Sequence, residues 1–208
     1  MNKVIKLLIL SDIFLITGFG LCDPIMAVYI KENLIGGTLI AAGIASSIFL
    51  FTKSILQIPL AKYVDKHKHR VFFLILGTIF VSFVPFIYAH STHINYIYFA
   101  QFLHGIGSAM SVPTWLSLFS MHLDRKKEAY QWSCYSTSVG LGTAASAYVG
   151  ARLAGVIGFQ ILFYIVGLLS LMGTVILFFL EMKHKEKIRF KKIMQKAKLF
   201  GDHHFRHN

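Results

Sequence analysis

The sequence predicts an all-α polytopic membrane protein, a bundle of six transmembrane helices, and three observations carry that expectation. Of the 208 residues, 55% are hydrophobic and only 14% are charged, too little charge to cover a soluble domain of this size. Asp, Glu, Lys and Arg are absent over 20 residues after Glu32, over 53 from Val71, over 23 from Ala129 and over 28 from Leu153. The basic residues fall in alternate loops, so that 18 of the 21 lie on one side of the expected bundle. A hydrocarbon core of about 30 Å takes about 20 apolar residues per helix. Backbone groups in lipid must be bonded internally, which makes a helical bundle the expected form.

The first helix is expected over 5–28. Lys3 and Lys6 ahead of an apolar stretch would also suit a cleaved leader, but no small-x-small cleavage site follows and Leu21 precedes Cys22, so a retained helix is expected. The second is expected over 37–60. The run from Val71 is too long for one crossing, and His90-Ser91-Thr92-His93-Ile94-Asn95 is its one good turn. It therefore divides into helices over 71–89 and 95–121. The last two are expected over 128–152 and 157–180, which makes residues 1–182 one membrane domain. Residues 183–208 form a basic cytoplasmic tail, where Phe190, Ile193, Met194 and Ala197 mark a possible amphipathic helix on the anionic inner leaflet.

The net charge of +12 does not indicate nucleic acid, because its distribution follows the positive-inside rule. That rule puts both termini in the cytoplasm and the 91–95 turn outside, in a multi-pass protein of the plasma (inner) membrane. Cys22 and Cys134 read as buried apolar residues rather than a disulfide. No cofactor is expected and no metal site is assigned. The His-rich end, Asp202 to Asn208, leaves metal binding open, with a solvated terminus the preferred reading.

Charges within the helices are costly and mark candidate functional residues. Asp12 on the first helix and Lys53 on the second lie at similar depths, about 10–12 Å from the cytoplasmic end at 1.5 Å per residue. They are expected to pair, either as a structural clamp or as part of a cavity lining that also holds Gln57, Gln101 and His104. Small residues gather in the fourth and fifth helices, at Gly105, Gly107, Gly140, Gly142 and Gly150. They allow close helix approach, which ordinary membrane packing accounts for without a transport role.

The loop after the second helix reads Ala61-Lys62-Tyr63-Val64-Asp65-Lys66-His67-Lys68-His69-Arg70. It resembles the major facilitator loop motif Gly-x-x-x-Asp-Arg/Lys-x-Gly-Arg-Arg/Lys. Asp65, Lys66 and Arg70 match, Ala61 and Lys68 replace its glycines, and His69 replaces a base. Gln101 to Ala109 resembles the family's Arg-x-x-x-Gly-x-Gly-x-Ala segment with Gln101 in the arginine place. Gly142 to Ala151 resembles the antiporter glycine motif with Ala147 in the proline place. Gly158-Phe159-Gln160 to Phe163 is similar to the usual opening of the sixth helix. The resemblance covers residues 1 to about 182, in the order of an N-terminal half.

It implies a major-facilitator half fold and a transporter of a small solute whose identity the motifs do not specify, built as a homodimer or with a second six-helix subunit. Ala61, Asp65, Lys66 and Arg70 would form its gate loop. The two departures weigh against proton-driven drug export. The alternative is a non-transporting partner subunit or sensor that keeps the half fold. An intramembrane serine protease would need Gly-x-Ser-Gly, and Gly107-Ser108-Ala109 departs from it, so no enzymatic activity is expected.

Overall fold

In the computed structural model, the backbone is described over 3–66 and 70–204 and the side chains over 3–66 and 70–182. The chain is helical nearly throughout. The helices are α1 (Lys3–Gly20), α2 (Met26–Asn33), α3 (Leu39–Lys66), α4 (Arg70–Ala89), α5 (Ile94–His122) and α6 (Glu128–His204). The stretches Lys3–Asn33, Leu39–Lys66, Arg70–Ala89 and Glu128–Met182 are long and apolar enough to cross a membrane. α5 is as long, but Gln101, His104 and a series of Ser and Thr residues make it more polar.

Several boundaries differ from the sequence expectation, each for a local reason. The first predicted helix is interrupted by a 3-10 turn at Asp23–Ile25 that carries Pro24, before α2 continues to Asn33. Proline brings no N–H and restricts the residue ahead of it. Lys31 and Glu32 therefore lie on α2 rather than in a loop. α3 runs through Ala61 to Lys66 and α4 begins at Arg70, so most of the expected gate loop is helix. Residues 183–204 continue α6, while the amphipathic face expected there and the His-rich end lie outside the described side chains.

α6 contains Gly158 with φ 81° and ψ 163°, backbone that a residue with a Cβ rarely adopts. The chain reverses there. Before the break, Gly142 faces Thr17 and Gly150 faces the Leu21 carbonyl, whereas after it Leu169 lies by Gly18 and the Ser11 carbonyl by Gly173. The two limbs, 128–157 and 159–204, thus pass α1 in opposite directions.

Two apolar cores fill the ends of the bundle. One gathers Phe19, Tyr29, Tyr88, Ile97, Phe163 and Val166. The other gathers Ile5, Leu8, Leu74, Trp115, Phe119 and Leu177. Between them lie buried hydroxyls, including Ser11, Thr78, Ser82, Ser108, Thr114 and Thr174. Most return a hydrogen bond to their own helix, as Ser11 does to Leu8 and Thr114 to Met110. The Ser82–Thr174 bond of 3.0 Å instead joins α4 to α6. At one end, Ile35 pairs with the 92–94 backbone, its N–H donating to Thr92 and its carbonyl accepting from Ile94, each at 3.0 Å. Tyr29 donates to the Tyr88 carbonyl at 2.9 Å in the same region. We refer to this as the loop end.

Candidate functional site

α3 packs on α5, α5 touches α1, and α1 packs on the first limb of α6, so the four form a row α3–α5–α1–α6. α4 and the second limb of α6 stand behind it, packed on each other and on α5 and α1. Glycine sets how closely these helices meet. A methyl group at Gly105 would stand 2.7 Å from Thr52 Cβ, and one at Gly107 would stand 2.7 Å from the Gly77 carbonyl oxygen. Gly142 and Gly150 bring α6 against Thr17 and the Leu21 carbonyl. Gly140 differs from the expectation of a packing seam: nothing lies within 4 Å of a Cβ placed there. Helical phase explains this, because Gly140 falls on the opposite face of α6 from the α1 contact.

Near the loop end, His104 of α5 lies between two rings. Phe19 of α1 is stacked on it at 4.8 Å and Phe49 of α3 lies at 4.4 Å. The Lys53 ammonium stands 5.8 Å from the centre of the Phe49 ring. Phe49 and Lys53 are one turn apart on α3, so one helix face offers both the ring and the cation. Gly105, beside His104, is what lets α3 approach closely enough for this contact.

Two turns along α1 toward the opposite end, Asp12 accepts a hydrogen bond of 2.6 Å from the Tyr135 hydroxyl on α6. Tyr135 belongs to an aromatic cluster with Trp115 at 4.6 Å and Trp132 at 6.0 Å. Trp115 also stacks on Phe119 at 4.8 Å and donates from Nε1 to the Leu8 carbonyl at 3.3 Å. The α1 and α5 faces thus meet twice, Phe19 with His104 and Leu8 with Trp115, in antiparallel register.

The expected Asp12–Lys53 contact is corrected by this arrangement. Asp12 bonds to Tyr135, and Lys53 pairs with no carboxylate among the described residues. α5 stands between their helices, so similar depth does not make them neighbours. Gln57 and Gln101 are half-buried and make no hydrogen bond among the described residues. Tyr135, Trp115, Phe19 and Phe49 were not singled out from the sequence. For Tyr135 a signal existed, since it lies seven residues into its helix, at a depth close to that of Asp12.

The gate-loop residues divide between two helices. Arg70 bridges them, bonding Asp65 at 3.3 Å and donating to Ser117 Oγ at 2.9 Å. Ala61 is half-buried and Lys66 exposed at the end of α3. At the start of α6, Gln131 and Asp124 form a reciprocal clamp, with bonds of 2.6 and 3.0 Å. Among the described residues, no group of three or more His, Cys, Asp or Glu side chains could hold a metal ion.

The Major Facilitator Superfamily model matches residues 8–206. The chain belongs to the Major Facilitator Superfamily. It is 26% identical over 181 residues to an uncharacterized MFS-type transporter of Methanocaldococcus jannaschii, covering 85% of this chain and 46% of that protein. It therefore spans about half the length of the curated relative it matches. Among solved structures it resembles the POT family transporter PepTSo, in an in meso crystal structure, with a TM-score of 0.76 and 14% identity. That likeness covers 86% of this chain and 37% of the other, and at this identity it concerns the fold. As a Major Facilitator Superfamily member with apolar helices of spanning length, the chain is an integral membrane protein of a transporter family.

Proposed function

We propose that this chain is a six-span half of a transporter for a small solute, and that a second copy in the same orientation completes the path. The observation that carries the reading is the row α3–α5–α1–α6, whose two central helices hold His104, Phe19, Asp12 and Trp115. The six spans are Lys3–Asn33, α3, α4, α5 and the two limbs of α6. An even number puts both termini on one side, and the positive-inside distribution makes that side cytoplasmic. Copies inserted alike can be related by an axis along the membrane normal, as family halves are, with the solute between them near the midplane.

A two-fold axis before the centre of the row would place α3 of one copy opposite the first limb of α6 of the other. Both have open faces. Gly43, Gly140 and Gly155 have nothing within 4 Å of an added Cβ, while Phe51 and Tyr148 are about 70% exposed. Small residues on facing helices favour close contact in lipid. Asp12, Lys53, Gln57, Gln101 and His104 would then lie along or beside the path. Asp65, held near α5 by Arg70, would contact the facing unit at the cytoplasmic end.

The test is uptake of radiolabelled solutes by proteoliposomes of the purified chain, using a library of amino acids, sugars, carboxylates and amines. The expected result is a saturable response to one chemical class that is lost in Asp12→Asn. No response to any solute, from protein that remains folded, would favour a non-transporting partner subunit.

A further inference from the structure

α4 stands behind the row, and an open groove of about 730 Å³ runs between it and α5 at the loop end. Phe80, Phe83 and Ile87 recur at three- and four-residue spacing on one face of α4, while Leu103 and Tyr96 of α5 form the other wall. One turn beyond Phe80 and Leu103 the two backbones close together. A methyl group at Gly77 or Gly107 would stand 2.7 Å from the carbonyl oxygen of the other. Gly167 of α6 admits the Phe86 ring, which lies 6.1 Å from that of Tyr164. At the mouth, His90 Nδ1 donates to the Phe86 carbonyl at 2.9 Å, which leaves Nε2 to accept from the Tyr164 hydroxyl at 3.1 Å.

The length of the groove, its polarity and its wall agree on one occupant. From Phe80 to His90 the chain rises about 15 Å at 1.5 Å per residue, half of a hydrocarbon core of about 30 Å. The groove is therefore as long as one leaflet is deep. Its polar residues, His90 and Tyr96, both sit beside the turn that joins α4 to α5, and the remainder is apolar. A polar solute would find no partner in its depth, whereas amphipathic rings suit the membrane interface. Four large rings line it and no small residue does. Helices that associate in lipid meet on small residues, so this wall does not suit another span.

We propose that the groove binds one acyl chain of a phospholipid from the leaflet at the loop end. The ester region lies at the level of His90 and Tyr96, and the tail reaches Phe80. Packed between the two walls, the acyl chain braces α4 against α5. The proposal rests on residence in a membrane and not on the transport reading.

The test uses the full chain in phosphatidylcholine nanodiscs that contain a fraction of phosphatidylcholine with a diazirine at the end of one acyl chain. Photolysis, digestion and mass spectrometry locate the adducts. Leu168 of α6 is exposed ten residues beyond the break at Gly158, at a similar depth, and is the reference for ordinary lipid contact. Labelling at Phe80, Phe83 and Leu103 is expected to exceed that at Leu168 severalfold. Leu103→Trp fills the groove and should bring Phe80 and Phe83 down to the reference level, with Leu168 unchanged. If thermal unfolding shows that this variant does not fold, Leu103→Phe takes its place. Groove labelling no greater than at Leu168 would overturn the proposal, as would labelling that ignores the filling variant. Chain-to-chain crosslinking of Phe83→Cys in a cysteine-free background, without lipid adducts in the groove, would assign this face to a second copy and overturn it too.

Discussion

Asp12 is held by Tyr135, and the strength of that link is open to measurement. Asp12→Asn and Tyr135→Phe should be non-additive in thermal stability, with a coupling of about 0.5–3 kcal/mol, as expected for residues in contact. Asp12→Asn with Lys53→Met should be additive within about 0.5 kcal/mol, since α5 separates the two. A measurable coupling between Asp12 and Lys53 would contradict the helix order described here. Depth was legible in the sequence, because span ends and a fixed rise per residue define it. Lateral order was not, because hydropathy says how deep a residue lies but not which helix stands beside it. The error over Lys53 and the omission of Tyr135 have that one cause.

Among the elements, the glycines of α5 and α6 differ in what they meet. Gly107→Ala should destabilise the bundle by about 1–3 kcal/mol, because the added methyl would press on the Gly77 carbonyl of α4. Gly140→Ala should be neutral or stabilising by up to about 1 kcal/mol, since it adds helix propensity in open space. Unfolding midpoints of the two variants in one detergent would decide, and equal effects would contradict the packing. The sequence marked both residues alike. Composition identifies small residues, but only helical phase and the partner separate a seam from an open face. The break at Gly158 was legible as a division between 152 and 157, because two apolar runs meet there around Arg152. The Pro24 turn was missed, although Asp23-Pro24 marks it, because apolar residues resume at once from Ile25.

At the scale of the whole molecule, the charge distribution predicts the orientation. A cysteine replacing Thr92, in a background of Cys22→Ala and Cys134→Ser, should react with an impermeant maleimide in intact cells. Labelling only after permeabilisation would invert the topology and with it the cytoplasmic placement of Asp65. The family and the helical architecture were legible from the Asp65–Arg70 motif and the charge-free runs, whereas the association of two units lies outside what one sequence specifies. The most direct measurement of the central proposal is crosslinking in native membranes of Gly43→Cys with Gly155→Cys, two open positions near the loop end of α3 and of the first limb of α6. In the same cysteine-free background, a short bis-maleimide should give a dimer with the doubly substituted chain, and much less with either single variant. A chain that remains monomeric under these conditions, while its cysteines still react with a monofunctional maleimide, would contradict a path completed by a second copy.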